Sequence, residues 1–282
     1  MFVRVLNCVI NGIPIGGLRI DFDVTQTKQT TKKEPDVGVI KIYNLTPATR
    51  SLINKIGSYV VLNAGHLDSL PAPIFSGVLK DYREEPASLE TVSVFEVEDR
   101  GGVFGANSLY SMKMSLSFPM GTLASAIIAA ISGYSATPLS NIIPGDYVYL
   151  SGFSYVGILK NALDKVVHDA LDLEWYVNDG RLYVHNPSLP QIGLPAVITP
   201  LSGMIGSPEK IVEEEDNGKA KIKVTKYKVK TLLNPRLFVG QTVNVSSKKE
   251  VMSGVFKIET VHKYGSNYSN DFYSEITARA LT

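Results

Sequence analysis

Leu18, Ile20, Phe22 and Val24 alternate without a break with Arg19, Asp21, Asp23 and Thr25. A period of two puts successive side chains on opposite sides of an extended strand. One side of this segment enters a core, and the other faces solvent or a partner. The same texture recurs along much of the chain, so sheets organise most of it. Residues 2–10 read as a strand that meets Asn11-Gly12, a pair that tolerates positive φ and marks a hairpin. Residues 28–36 form a polar loop, and residues 37–45 return to strand. Thr46-Pro47 then predicts a short helix with Thr46 as N-cap, a buried stripe of Ala48, Leu52, Ile53 and Ile56, and a stop at Gly57. Strands follow at 59–64, 74–82 and 89–98.

Three blocks differ in texture. The first spans residues 1–102 and is strand-rich. The second, 103–193, carries helical periodicity. Thr122 is expected to cap a helix over Leu123, Ile127, Ile128 and Ile131 that stops at Gly133. Ser154 is expected to cap a longer one over Val156, Leu159, Leu163, Val166, Val167 and Ala170. Asp179-Gly180 predicts a hairpin between 174–178 and 181–186. The third block, 194–282, returns to strand at 219–230, 241–246, 255–261 and 272–280. Its alternation shifts at Thr225, which predicts a β-bulge there. The two outer blocks match in size and texture.

Hydrophobic residues make up 44% and charged residues 20% of the 282, enough apolar surface for a sizeable core. A net charge of +1 carries no electrostatic signature of a nucleic-acid or membrane-surface binder. The single cysteine, Cys8, excludes an intramolecular disulfide and a multi-cysteine zinc site. It lies in an apolar run and is expected to pack as a small hydrophobe. Arg4, Asn7 and Asn11 interrupt what would be a signal peptide, which disfavours a secreted adhesin. No run reaches the ~18 apolar residues of a membrane span; the richest window is 123–131. Synthesis and folding in a reducing cytoplasm are expected.

No catalytic or metal site is legible in the sequence. His66, His168, His185 and His262 are scattered over all three blocks without a metal-binding spacing. Asp21/Asp23, Glu84-Glu85 and Glu213-Glu214-Glu215-Asp216 have the composition of solvated faces and turns, where an acid–base pair needs two unlike environments. Ser207-Pro208-Glu209-Lys210 matches S-x-x-K only by chance, because Pro208 disfavours the helix that motif needs. Neither a nucleophile elbow nor a phosphate-binding glycine loop occurs. No catalytic residue, metal or cofactor is expected. The most unusual local feature is the run Lys219, Lys221, Lys223, Lys226, Lys228 and Lys230. With the bulge, all six fall on one side, facing a polyanion or an acidic partner. A strand guarded against aggregation, or paired with the acidic run at 213–216, is the favoured alternative.

Longer patterns carry a resemblance. They include Leu201-Ser202-Gly203-Met204-Ile205-Gly206-Ser207-Pro208, the lysine strand, and Leu232-Leu233-Asn234-Pro235-Arg236-Leu237 with Val239-Gly240 and Val243. The ending Gly254-Val255-Phe256-Lys257-Ile258, Val261-His262, Gly265 and Phe272-Tyr273-Ser274-Glu275-Ile276 belongs with them. So do Val39-Ile40-Lys41-Ile42-Tyr43-Asn44-Leu45-Thr46, Phe118-Pro119-Met120-Gly121-Thr122, and Trp175-Tyr176-Val177 with Gly180-Arg181-Leu182-Tyr183-Val184. Together they resemble the baseplate hub proteins of tailed bacteriophages over nearly the whole chain. The resemblance implies a mainly β chain: two tail-tube-like β-barrel domains, 1–102 and 194–282, flanking a small α/β insertion, 103–193. It implies a homotrimer whose barrels form a pseudo-sixfold ring between the sixfold tail tube protein and the threefold spike protein. Other baseplate proteins would be partners, and DNA would pass through the lumen. Localisation would be the virion tail baseplate, after assembly in the host cytoplasm. The lysines named above, with Asp21 and Asp23, are then candidate interface or lumen residues. The rival functions are a tail-associated cell-wall hydrolase and a nucleic-acid-binding module built on residues 219–230.

Overall fold

The computed structural model describes residues 3–27, 35–67, 71–87, 89–99, 109–178, 180–186, 189, 195–216, 221–247 and 253–281. The chain opens with β1 (Arg4–Ile10) and β2 (Ile13–Ile15). Asn11 and Gly12 join them at φ 52° and 77°, as the turn chemistry predicts. Then come β3 (Ile20–Thr27), β4 (Asp36–Tyr43), α1 (Pro47–Ile53), β5 (Tyr59–His66), β6 (Ala72–Ala87) and β7 (Glu90–Asp99). The middle of the chain holds β8 (Lys113–Phe118), β9 (Thr122–Leu123), α2 (Ala124–Tyr134), β10 (Val148–Tyr149) and β11 (Phe153–Ile158). After these come α3 (Leu159–Asp164), which runs into a π-helical turn at Lys165–Ala170, and the hairpin β12 (Glu174–Asn178) and β13 (Arg181–His185). The last stretch has β14 (Ala196–Ile198), a 3-10 turn at Pro200–Ser202, β15 (Met204–Asp216), β16 (Lys221–Leu232), β17 (Thr242–Val245), β18 (Gly254–Ser266) and β19 (Phe272–Ala280).

The protein is mainly β. One large sheet runs in the order β15-β16-β19-β18-β3-β4-β7-β6-β5-β1-β2, with β17 on β18 and β14 on β17. The join between the first and last parts of the chain is the β18–β3 ladder, from Thr260↔Thr27 to Ser266↔Asp21. Every pairing is antiparallel except β14–β17. The core-facing residues of β3 (Ile20, Phe22, Val24) are the ones the alternation selects.

Buried side chains form three clusters. One gathers residues of β1 to β7 and adds Leu233 and Phe272 from the far end of the chain. A second lies within residues 109–184 and includes Ile127, Ile128, Ile131, Leu163 and Trp175. The third collects Val229, Val243, Phe256 and Ile276, with Tyr176 reaching in from β12. Tyr176 stacks on Tyr183 and lies so close to Gly240 that a Cβ there would come within 2.4 Å of its hydroxyl.

Several local expectations need correction. Thr46 does cap α1, accepting from Thr49 N at 3.2 Å, but the helix is only seven residues long and ends at Ile53 with Asn54 as C-cap. Ile56 lies beyond the end of these roughly two turns, and Ile53 is buried while Ala48, Leu52 and Ile56 stay exposed. Thr122 is not a helix cap. It pairs with Tyr149 across β9–β10, and α2 starts two residues later and ends at Tyr134, one past Gly133. The cap comes from a distant residue: Asp146 Oδ1 accepts from Ser125 N at 3.0 Å. Ser154 lies inside β11, which pairs with β8 from Phe153↔Phe118 to Ile158↔Lys113. Val156 is 81% exposed there, and the helix begins at Leu159. The π-helical turn then places the adjacent Val166 and Val167 both inside. No bulge occurs at Thr225. The β15–β16 register is unbroken from Asp216↔Lys221 to Glu209↔Lys228, and its irregularity lies between Ile205 and Glu209, beside Pro208. Lys219, Asp179 and most of the loop at 28–36 fall outside the described residues.

Candidate assembly surface

With no bulge, the lysines of β16 divide by parity. Lys226, Lys228 and Lys230 share one face of the sheet; Lys223 falls on the other by register and is exposed, and the Lys221 side chain lies outside the described residues. The face of Lys226, Lys228 and Lys230 continues over Tyr273, Glu275 and Arg279 of β19, His262 and Tyr264 of β18, and Asp21 and Asp23 of β3. Charged and hydroxyl-bearing side chains dominate it. The reason is the alternation itself, since Phe272, Ser274, Ile276 and Ala278 of β19 take the buried positions.

The charges on this face are paired within the chain. Lys226 Nζ lies 2.7 Å from Glu213 Oε2 and 2.9 Å from Glu259 Oε2, and Arg279 Nε lies 3.3 Å from Glu259 Oε1. Lys228 Nζ lies 2.8 Å from Glu275 Oε2. Lys230 donates to Tyr264 Oη at 2.7 Å, which donates to Glu275 Oε1 at 2.8 Å. His262 Nε2 is 3.0 Å from Asp23 Oδ1, across the β18–β3 ladder. Asp21 takes hydrogen bonds from Arg19 and from Tyr43, at 3.0 and 2.8 Å. Burial pushes the Glu275 carboxyl up, but the hydrogen bonds from Lys228 and Tyr264 and the nearby lysine charges outweigh it and hold its pKa below the ordinary value. Asp21 is held low in the same way, by Arg19, Ser266 and Tyr43 against its burial. On the next strands Lys80 is pushed up to about 12 by its bonds to Glu98 and Glu96.

The remaining chemistry-bearing residues do not converge. His66 is buried edge-on to Phe272, His168 lies on the π-helical turn, and His185 sits beside Glu174. Among the described residues, no group of three or more His, Cys, Asp or Glu side chains is placed to hold a metal. Burial pushes the Cys8 thiol up to about 12, which leaves it unreactive. A shallow depression lined by Ser125, Leu139, Asn141 and Asp146 offers one carboxylate, and that one is engaged in capping α2. No helix among the described residues is long and apolar enough to cross a membrane.

Among the described residues, two long strands have an unpaired side, besides the short terminal strands β2 and β14. β15 is hydrogen-bonded to β16 alone along its length. Past Leu79, β6 is paired only with β7, from Asp81↔Glu96 to Ala87↔Glu90. The stretch of the order between them, β15-β16-β19-β18-β3-β4-β7-β6, has an even number of strands, each running opposite to its neighbour, and beyond it the order continues over β5 and β1 to β2.

No protein-family model and no curated protein matches the sequence. Solved structures match the fold. A tail protein from Neisseria meningitidis superposes with a TM-score of 0.66 over 99% of this chain and 97% of its own, at 9% identity. The fold is that of phage tail proteins. The 43 kDa tail protein of prophage MuSo2 from Shewanella oneidensis matches at TM-score 0.65 and 8% identity, over 98% of this chain and 96% of its own. An E. coli protein, c3393, matches at 0.64 and 10%, over 98% of this chain and 77% of its own. It is described as a type VI secretion component with structural similarity to the T4 tail proteins gp27 and gp5. The tail-protein fold brings the sequence-selected Lys226, Lys228, Lys230, Asp21 and Asp23 onto one face. Sequence reasoning missed Glu275, Glu259, Tyr264 and Arg19, which complete that face. The alternation in β19 marks Glu275 as outward; nothing local says that it meets Lys228.

Proposed function

We propose that the chain is a structural hub of a phage-tail baseplate. Three copies form a pseudo-sixfold ring that joins the sixfold tail tube to the threefold spike and leaves a passage for DNA. The outer blocks, 1–102 and 194–282, act as the two tube-like barrels of each copy, with 103–193 as an insertion between them. The observation that carries this is the even, alternating stretch from β15 to the part of β6 beyond Leu79, where each of these two strands has one unpaired side among the described residues. Identical copies set head to tail then continue the antiparallel pattern, β15 of one against β6 of the next, and such heterologous contacts close into rings. Open edges are a liability in a lone chain, and ring closure removes it.

The paired charges of the polar face suit a wall past which DNA slides. Lys226, Lys228 and Lys230 already have carboxylate or phenol partners, so few cations remain to hold phosphates. The same pairing disfavours the nucleic-acid-binding alternative, and the scatter of titratable groups disfavours a hydrolase. Cysteines placed in turn at positions 205–214 of β15 and 81–85 of β6 test the closure, since Cys8 is buried. Oxidation should give covalent dimers and trimers and no larger species. Absence of any cross-link at every combination, in a hub assembled with its tail partners, would remove the proposal.

A further inference from the structure

The two outer blocks repeat one strand arrangement. In the sheet, β3-β4-β7-β6 is followed by β5 and β1, and β15-β16-β19-β18 has β17 on its last strand and β14 beyond that. Chain order matches as well: β3 with β15, β4 with β16, β5 with β17, β6 with β18 and β7 with β19. The match reaches single backbone groups. Gly57 N donates to Leu79 O and Leu79 N to Ser58 O, as Gly240 N donates to Ile258 O and Ile258 N to Gln241 O. Both glycines sit at positive φ, 88° and 83°. Tyr43 N donates to Arg19 O as Leu232 N does to Gly203 O, and Asn44 N to Thr91 O as Leu233 N does to Phe272 O. Each block bulges at the same place, between Leu79 and Asp81 in β6 and between Ile258 and Thr260 in β18. The residues in the two bulges, Lys80 and Glu259, form ion pairs with matching positions of β7 and β19, Glu98 and Arg279, with the charges exchanged.

This equivalence supplies a template for the junction that a single chain cannot make. Inside the chain, β18 of the second block pairs with β3 of the first, from Thr260↔Thr27 to Ser266↔Asp21. The strands equivalent to these two are β6 and β15, whose outer sides are unpaired among the described residues at 81–87 and along β15. Counted from the bulges, Thr260, His262 and Tyr264 correspond to Asp81, Arg83 and Glu85. Counted across the ladders through β4 and β16, Asp23, Thr25 and Thr27 correspond to Glu209, Ile211 and Glu213.

We infer that neighbouring copies reproduce the β18–β3 ladder: Asp81 opposite Glu213, Arg83 opposite Ile211 and Glu85 opposite Glu209, with Arg83 of one copy bound to Glu209 of the next. The register presupposes the ring of the proposed function and selects one of its possible pairings. Across the ladder inside the chain, His262 Nε2 lies 3.0 Å from Asp23 Oδ1. Arg83 and Glu209 take those two places between copies, a permanent cation beside a carboxylate. On the opposite face Lys210 comes level with Glu84. Val212, 60% exposed in the lone chain, comes level with Tyr82, which packs on the first core cluster. A slip of one residue would turn Val212 away from Tyr82. Like charges stand opposite each other at Asp81–Glu213 and Glu85–Glu209, an arrangement that disfavours pairing when no cation is near. Here Lys226 lies 2.7 Å from Glu213, and Arg83 lies 3.7 Å from Asp81 and 3.0 Å from Glu85. The pairing ends toward Pro86 and Pro208, which bring no N–H to a ladder.

Paired cysteine variants of the full chain, assembled with its tail partners, test the register. Arg83→Cys/Ile211→Cys and Glu85→Cys/Glu209→Cys should form cross-links between copies about fivefold faster or more than pairs slipped by two residues, Arg83→Cys/Glu213→Cys and Arg83→Cys/Glu209→Cys, because directly opposed Cβ atoms come closest to disulfide reach. Equal or faster cross-linking of a slipped pair overturns the register and leaves the ring standing. No cross-link at any of these pairs overturns the ring, and the register with it. The ion pair has its own readout. Arg83→Glu should weaken association between copies about tenfold, and adding Glu209→Arg should restore it. Both side chains are exposed, so neither change disturbs a core. A double variant that associates no better than Arg83→Glu alone overturns the contact between Arg83 and Glu209.

Discussion

Lys226 sits between two carboxylates and is only 8% exposed. Glu213 is about half exposed and its contribution is screened, whereas Glu259 is buried and depends on its cationic neighbours. Lys226→Ala should cost about 2–4 kcal/mol in urea unfolding, because it removes a close cation from the buried Glu259 carboxylate, which also meets Arg279. A loss below about 0.5 kcal/mol would mean that the site is wetter than its burial indicates. Glu275 and Asp21 carry a pH dependence. Both pKa values are depressed in the fold, so their stabilisation is present above the ordinary values of 4.5 and 3.8 and is lost as pH falls through the depressed ones. Thermal midpoints should therefore drop steeply below about pH 4.5. Glu275→Gln should be less stable at pH 7 by about 1–3 kcal/mol, with a flatter acid limb. An unchanged acid limb in that variant would contradict the pairing with Lys228 and Tyr264.

Elements divide by how local their cause is. The β1–β2 hairpin, the Thr46 cap and the inward side of β3 follow from residues adjacent in sequence, and all three are legible there. The start of α2 is not legible, because the acceptor that satisfies its first turn is Asp146, twenty-one positions away from Ser125. Asp146→Ala should cost about 1 kcal/mol and fray the first turn of α2, visible as faster amide exchange at Ser125. Equal exchange in both proteins would show that another group satisfies the helix end. Ser154 misled because Val156 and Leu159 also fit a helical period; pairing with β8 decides for strand, which no local pattern encodes. The bulge expected at Thr225 rested on Tyr227 and Val229 facing a core. They do, and Lys223 simply lies beyond the end of that core on the same side.

At the scale of the whole molecule, the two strand-rich blocks are legible in the sequence, but their union in one sheet is not. The β18–β3 ladder joins residues more than two hundred positions apart, and its register is fixed by contacts such as His262 with Asp23 and Asn267 with Ile20. The candidate face was half legible for the same reason: alternation shows which residues point outward, and only the pairing order shows that lysines meet glutamates. That union yields the even stretch of antiparallel strands from β15 to β6 on which the proposed ring is built. The most direct test is the hub imaged by electron cryo-microscopy in an assembled tail. Three copies should surround the axis, with β15 of each hydrogen-bonded to the residue 81–87 edge of β6 in the next. Six copies, or three copies whose β15 and β6 edges both face solvent, would contradict it.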